Sequence, residues 1–138
     1  MASYIQADRA MTVTTPLGPD VLLLVGFQGH EEISRPFSFQ LDLLAENATK
    51  VEFDKILGQK VTINVALVKE GKRYINGICS RLSQGERDEY FTTFRMEVVP
   101  ALWLLTRTVR SRIFQWATFP DILKKVLESL DVVFEIKG

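Results

Sequence analysis

The chain has 138 residues, 46% of them hydrophobic and 25% charged, with Lys plus Arg and Asp plus Glu balanced at 17 each. This is enough for one domain with a real core, or one domain and the start of another, and it excludes a disordered chain or one drawn to nucleic acid or anionic lipid by net charge. No apolar run nears the roughly 20 residues that span a bilayer, MASYIQADRA lacks the order of a Sec-type signal peptide, and the single cysteine, Cys79, permits no internal disulfide.

In chain order, Gly26-Phe27-Gln28-Gly29 reads as a turn between strands, with His30 solvated just after it. It lacks the GxxxxGK[ST] pattern of a phosphate loop, and Glu31-Glu32 would repel an anion. Phe37, Phe39, Leu41 and Leu43 alternate with Ser38, Gln40 and Asp42, the period-2 pattern of a half-buried strand. Phe53–Leu57 predicts a one-turn helix ended by Gly58. Val61–Leu67 repeats the alternation, and Lys69-Glu70-Gly71-Lys72 is a polar turn. In Arg73–Leu82 the apolar phase changes near Gly77, which predicts a bulge there. Gln84–Glu89 is the next turn. In Tyr90–Val99 the residues Tyr90, Thr92, Phe94, Met96 and Val98 share a face. These last three strands predict an antiparallel meander.

Pro100–Leu105 opens with a proline suited to a first helical position. Thr118, with Asp121 three residues on and Pro120 between, marks the start of a helix from about Phe119 to Leu130. Ile122, Leu123, Val126, Leu127 and Leu130 give that helix a wide apolar face. Val132–Ile136 reads as a short strand. The predicted core is Phe39, Leu41, Ile63, Val65, Phe94, Met96 and Trp103.

Catalytic chemistry finds little purchase. A zinc site uses about four ligands, usually Cys or His, so with one of each a dedicated metal site would have to rely on carboxylates. His30 beside Glu31 and Glu32 is read as a solvated histidine rather than a base, and Cys79 between Ile78 and Ser80 as a packed thiol rather than a nucleophile. Asp20, Asp42, Asp54 and Asp88 are scattered without a paired spacing. Arg107, Arg110 and Arg112 with Phe114 and Trp116 form the one basic–aromatic cluster, read as a solvated loop or an interface rather than a nucleic-acid groove. No catalytic, cofactor-binding or metal-ligating residue is assigned, and no enzyme activity is expected.

A strand-rich stretch of about 100 residues with short turns fits a small barrel or a sandwich. The order of motifs narrows this. Leu17-Gly18, Leu22-Leu23-Leu24, Gly29-x-Glu31, Phe37-x-Phe39-x-Leu41-x-Leu43, Leu57-Gly58, Pro100-x-Leu102-Trp103-Leu104-Leu105, Arg112-Ile113-Phe114-Gln115 and Asp121-Ile122 run through nearly the whole chain. Together they resemble the amino-terminal part of the valine–glycine-repeat spike proteins (the VgrG family) of bacterial type VI secretion, which is similar to the baseplate hub of contractile-tailed phages. Trp116 departs from the polar residue that many members carry after the Arg-Ile-Phe-Gln tetrad.

The resemblance implies a mainly β, β-rich α+β fold. Residues 1–112 would form a small closed antiparallel β-barrel of the phage tail hub type with short helices, and residues 113–138 a helix and strand opening an incomplete second domain. It also implies a structural spike component, homotrimeric in the full-length protein, that caps a tube of hexameric rings and helps deliver effectors. The implied partners are the tube-forming hexameric ring protein and spike-tip and effector proteins, with no nucleic acid, no membrane-spanning segment and no cofactor. Such a protein would be made in the bacterial cytoplasm and secreted by the type VI machine without a signal peptide. The second barrel and the valine–glycine needle of a full spike are missing, so the chain is expected to be a fragment or truncated product. Two alternatives stay open: the hub of a contractile phage tail or tailocin, and a small ligand-binding or hydrolase barrel, which would need a convergent polar pocket.

Overall fold

The computed structural model describes residues 4–69, 71–135 and 137. The chain divides into two compact units, Met1–Pro100 and Ala101–Gly138.

The alternating segments of the larger unit assemble into one six-stranded antiparallel sheet. Its strands are β1 (Met11–Thr14), β2 (Leu23–Glu32), β3 (Arg35–Glu46), β4 (Lys60–Ala66), β5 (Lys72–Arg87) and β6 (Phe91–Val99), in the order β1-β4-β5-β6-β3-β2. The expected meander is β4–β5–β6. Register lines the apolar residues up in rows. Val13 faces Ile63, which faces Ile75, while Leu41 faces Met96, which faces Leu82. All six are buried and belong to one core. Each such burial stabilises the fold by about 1.5–3 kcal/mol.

The sheet curls into a half-barrel. The sixteen-residue β5 contributes to this by changing partners: Lys72–Ile78 pairs with β4 and Ile78–Arg87 with β6. At the two ends of the strand order, β1 and β2 come within reach of one side chain. Gln6, only 5% exposed, hydrogen-bonds to Val13 of β1 and to Leu22 and Leu24 at the start of β2.

Several sequence-based expectations change here. Gly26–Gly29 is not a turn but the middle of β2, paired with β3. A Cβ on Gly29 would lie 2.0 Å from the Phe39 ring, so the glycine makes room for an aromatic side chain on the neighbouring strand. Pairing runs without a break through Gly77, and the register shifts instead between Cys79 and Arg81 and between Gln84 and Arg87. Gly77 is there for close approach: a Cβ would stand 2.6 Å from the Val99 carbonyl oxygen. β5 continues through Gln84 to Arg87, and the turn into β6 shrinks to Asp88–Tyr90. There the Asp88 carboxylate accepts hydrogen bonds from the Tyr90 and Phe91 amides, both at 2.7 Å, leaving Tyr90 outside the strand and exposed. β1 has only four residues and was not anticipated. Phe53–Lys55 is a 3₁₀ turn, followed by Gly58 at φ +73°. Of the predicted core, Phe39, Leu41, Ile63, Phe94 and Met96 are buried, whereas Val65 is half-buried against the core's edge.

The smaller unit contains a 3₁₀ helix, Ala101–Arg107, and one α-helix, α1 (Phe119–Val126). Neither has a fully buried residue. Trp103, expected in the core, is therefore only half-buried, with the Arg107 guanidinium 5.2 Å above its ring. So short a unit has too little chain to enclose an indole. The Asp121 carboxylate accepts hydrogen bonds from the Thr118 hydroxyl and amide, as the capping pattern predicts. The α-helix stops at Val126 rather than Leu130. Residues 132–135 form no strand, since no neighbouring strand offers them a ladder, and Ile136 lies outside the described residues.

Candidate assembly surface

The residues weighed for chemistry do not converge. His30 sits exposed on β2 with its ring against the Glu32 carboxylate, and Glu31 meets the Arg73 guanidinium at 2.6 Å. Cys79 is buried in β5, its thiol donating to the Arg81 carbonyl at 3.5 Å. Burial pushes that thiol up to about 11, which suppresses the nucleophilic thiolate. Three of the four scattered aspartates have structural partners. Asp20 accepts from the Gln6 amide at 2.9 Å and Asp42 meets Arg95 at 3.3 Å. Asp88 holds its turn, and the Phe91 and Tyr90 amides keep its carboxyl below the ordinary range. Asp54 lies exposed in the first turn of its 3₁₀ helix. Among the described residues no three His, Cys, Asp or Glu side chains gather as a metal site would require. Nor, among them, is any helix long and apolar enough to cross a membrane.

The interior of the larger unit is filled by aliphatic and aromatic side chains, with Gln6, Thr15 and Thr92 as its buried polar residues. Gln6 and Thr92 spend their side-chain polar groups on partners within the fold.

The basic–aromatic cluster lies in the smaller unit, and two of its arginines are engaged. Arg107 covers Trp103, and Arg112 donates to the Lys125 carbonyl at 2.9 Å with Glu128 at 3.9 Å. Arg112 thus ties the 3₁₀ side of the unit to the carbonyl-rich end of α1, where a cation is favoured. Around this tie runs a groove of 660 Å³ whose lining includes Leu104, Leu105, Phe114, Val126 and Arg110. Val109, Ile113, Trp116, Phe119 and Val133 are exposed nearby in sequence, and Trp116 carries a positive φ of 56°. Exposed apolar side chains in this number on one small unit are the raw material of an interaction site. The helical periodicity announced the apolar stripe of α1. Val109, Ile113 and Trp116 also fall at helical spacing, yet no helix forms over 109–116.

Comparison with known proteins identifies the kind of part this is. Residues 30–137 match the family model of the phage tail baseplate hub (GPD). The chain belongs to that family. It is 39% identical over 127 residues to the type VI secretion system spike protein VgrG1c of Pseudomonas aeruginosa, covering 92% of this chain and 17% of that protein. VgrG1b of the same organism is 38% identical over 125 residues, covering 91% of this chain and 17% of that protein. The actin cross-linking toxin VgrG1 of Vibrio cholerae is 26% identical over 132 residues, covering 88% and 12%. Among solved structures, the Escherichia coli c3393 protein aligns with a TM-score of 0.64 at 19% identity, over 95% of this chain and 32% of that one. It is described as a component of the type VI secretion system with structural similarity to the T4 bacteriophage tail proteins gp27 and gp5. This chain spans less than a fifth of the length of the VgrG1 relatives of Pseudomonas aeruginosa.

Proposed function

We propose that this chain is the hub portion of a type VI secretion spike, a structural part that caps the tube and helps deliver effectors, without catalysis of its own. The observation that carries this reading is the 39% identity to VgrG1c across 92% of the chain. The apolar, filled interior supports it physically, because a part that transmits force gains from a packed core and from broad interfaces rather than from a polar cleft. The closeness of the spike relatives favours type VI secretion over the hub of a phage tail or tailocin, the same kind of part in another machine.

In this reading the half-barrel closes into a barrel through the Gln6 bridge between β1 and β2. Residues 1–112 act as the hub barrel domain, and residues 113–138 open a second domain whose remainder lies in longer chain, as the greater length of the relatives suggests. The assembled protein is a homotrimer. It contacts the tube-forming hexameric ring protein on one side and spike-tip or effector proteins on the other, and it leaves the cytoplasm through the type VI machine itself. It uses no metal or cofactor, and it binds no nucleic acid.

Light scattering on this chain and on a longer parent containing the following domain tests the reading. The longer protein is expected to be a trimer and the 138-residue chain to self-associate weakly or bind a hydrophobic dye through residues 119–138. A strictly monomeric longer protein would overturn the hub assignment.

A further inference from the structure

The four hydrogen bonds of the Gln6 side chain use its whole capacity. Nε2 donates to the Val13 carbonyl at 3.3 Å and the Leu22 carbonyl at 3.1 Å. Oε1 accepts from the Val13 amide at 3.0 Å and the Leu24 amide at 3.1 Å. Towards β1 it exchanges both bonds with one residue, as one partner of an antiparallel pair does. Towards β2 it bridges the carbonyl of one residue and the amide of the residue two further on, flanking Leu23. A single side-chain amide therefore stands in for one peptide group of a strand between β1 and β2, which share no backbone register of their own.

Further contacts hold the segment that carries Gln6, among them the Arg9 amide donating to the Gln6 carbonyl at 2.9 Å. The Gln6 amide donates to Asp20 at 2.9 Å, the Tyr4 amide donates to Glu46 at 2.9 Å, and the Tyr4 ring packs edge-on against Phe91 with centroids 4.7 Å apart. Tyr4 and Ile5 are themselves exposed. Every neighbouring pair in the sheet order is joined by a backbone ladder, and β1 and β2 stand at its two ends.

We propose that Tyr4–Arg9 is a strap, that Gln6 is its latch, and that the β1–β2 seam opens locally when the strap lifts, while the ladders of β3, β5 and β6 stay intact. Lifting strands two backbone groups of Val13 and one each of Leu22 and Leu24. Leaving a buried group unpaired is unfavourable, so the seam stays shut while the latch is in place. Once open, β1 and β2 present edges that can pair with another strand. The seam is the part of the sheet joined by a side-chain amide rather than by a backbone ladder.

Residue-resolved amide hydrogen exchange on the 138-residue protein tests this. In the unaltered chain the Val13 and Leu24 amides should exchange on the order of tenfold or more faster than those of Leu41 and Met96, through an opening with weak denaturant dependence. In Gln6→Met, which keeps the length and loses the hydrogen bonds, Val13 and Leu24 should lose further protection while Leu41 and Met96 keep theirs. If Val13 and Leu24 in the unaltered chain exchange as slowly as Met96 and with the same denaturant dependence, the seam opens only with global unfolding and the proposal fails. Unchanged protection in Gln6→Met would also sink it. If the variant does not fold, the measurement on the unaltered chain decides.

Discussion

A Cβ on Gly77 would stand 2.6 Å from the carbonyl oxygen of Val99 and 2.7 Å from a methyl of Val98. The obstacle is partly backbone, so it cannot swing aside as the end of a long side chain would. Gly77→Ala should destabilise the protein by about 1–3 kcal/mol through overpacking. Urea unfolding followed by far-ultraviolet circular dichroism measures this. An unchanged midpoint would mean that β5 and the end of β6 are farther apart than described.

Two aromatic truncations should differ sharply. Phe94 is buried opposite Leu43, its ring centroid 6.3 Å from that of Phe53, and Phe94→Ala should cost about 3–5 kcal/mol. Trp103 is half-buried in a helix without a buried residue, and Trp103→Ala should cost about 1 kcal/mol or less. Equal losses in thermal or urea unfolding would contradict the exposure assigned to Trp103.

Cys79 gives the fold an alkaline limit. Its thiol is raised to about 11 in the folded protein from an ordinary value of 9.0, mainly by burial, with the Glu97 carboxylate adding to the rise. As pH increases, the unfolded chain releases its thiol proton first. The stability owed to the neutral buried thiol is therefore full below pH 9 and is lost as pH climbs towards 11. Cys79→Ala should remove that part of the alkaline slope. An aromatic disulfide reagent should modify the native thiol only as fast as the core opens, and immediate reaction at neutral pH would refute its burial.

Thr15 has a buried hydroxyl with no hydrogen-bond partner, the only such side-chain atom among the described residues. Thr15→Val keeps the shape and removes the unsatisfied group, so it should raise stability by about 1 kcal/mol, read as a higher melting temperature. A clear loss would show that the hydroxyl has a partner, such as a bound water.

The alternating segments carried most of the sheet in plain view. Phe39, Leu41 and Leu43, and likewise Phe94, Met96 and Val98, have local period-2 patterns, and a half-buried strand needs nothing more to declare itself. What stayed hidden depends on partners far along the chain. Met11–Thr14 is too short for a pattern and becomes a strand through Asn64 and its neighbours in β4. Gly29 reads locally as a turn residue, and the Phe39 ring above it is the reason it lies in a strand. Gln6 looks like any polar residue near a terminus until β1 and β2 close around it. In the smaller unit, the apolar block around Trp103 was legible as apolar. Its burial was not, because that depends on how much chain surrounds it. The functional reading comes from the order of the motifs along the chain.

If this chain is a hub part of a type VI spike, it should work in place of the matching segment of a relative. The direct measurement replaces the matching segment of VgrG1c in Pseudomonas aeruginosa with these 138 residues and follows release of the tube-forming ring protein into the medium, in a strain that relies on that spike. A functional hub should restore release above the level of a spike lacking the segment, and Phe94→Ala within the graft should lower it again. If the chimera is stably made and trimeric yet releases no more ring protein than the deleted spike, the assignment of this chain as a working hub is contradicted.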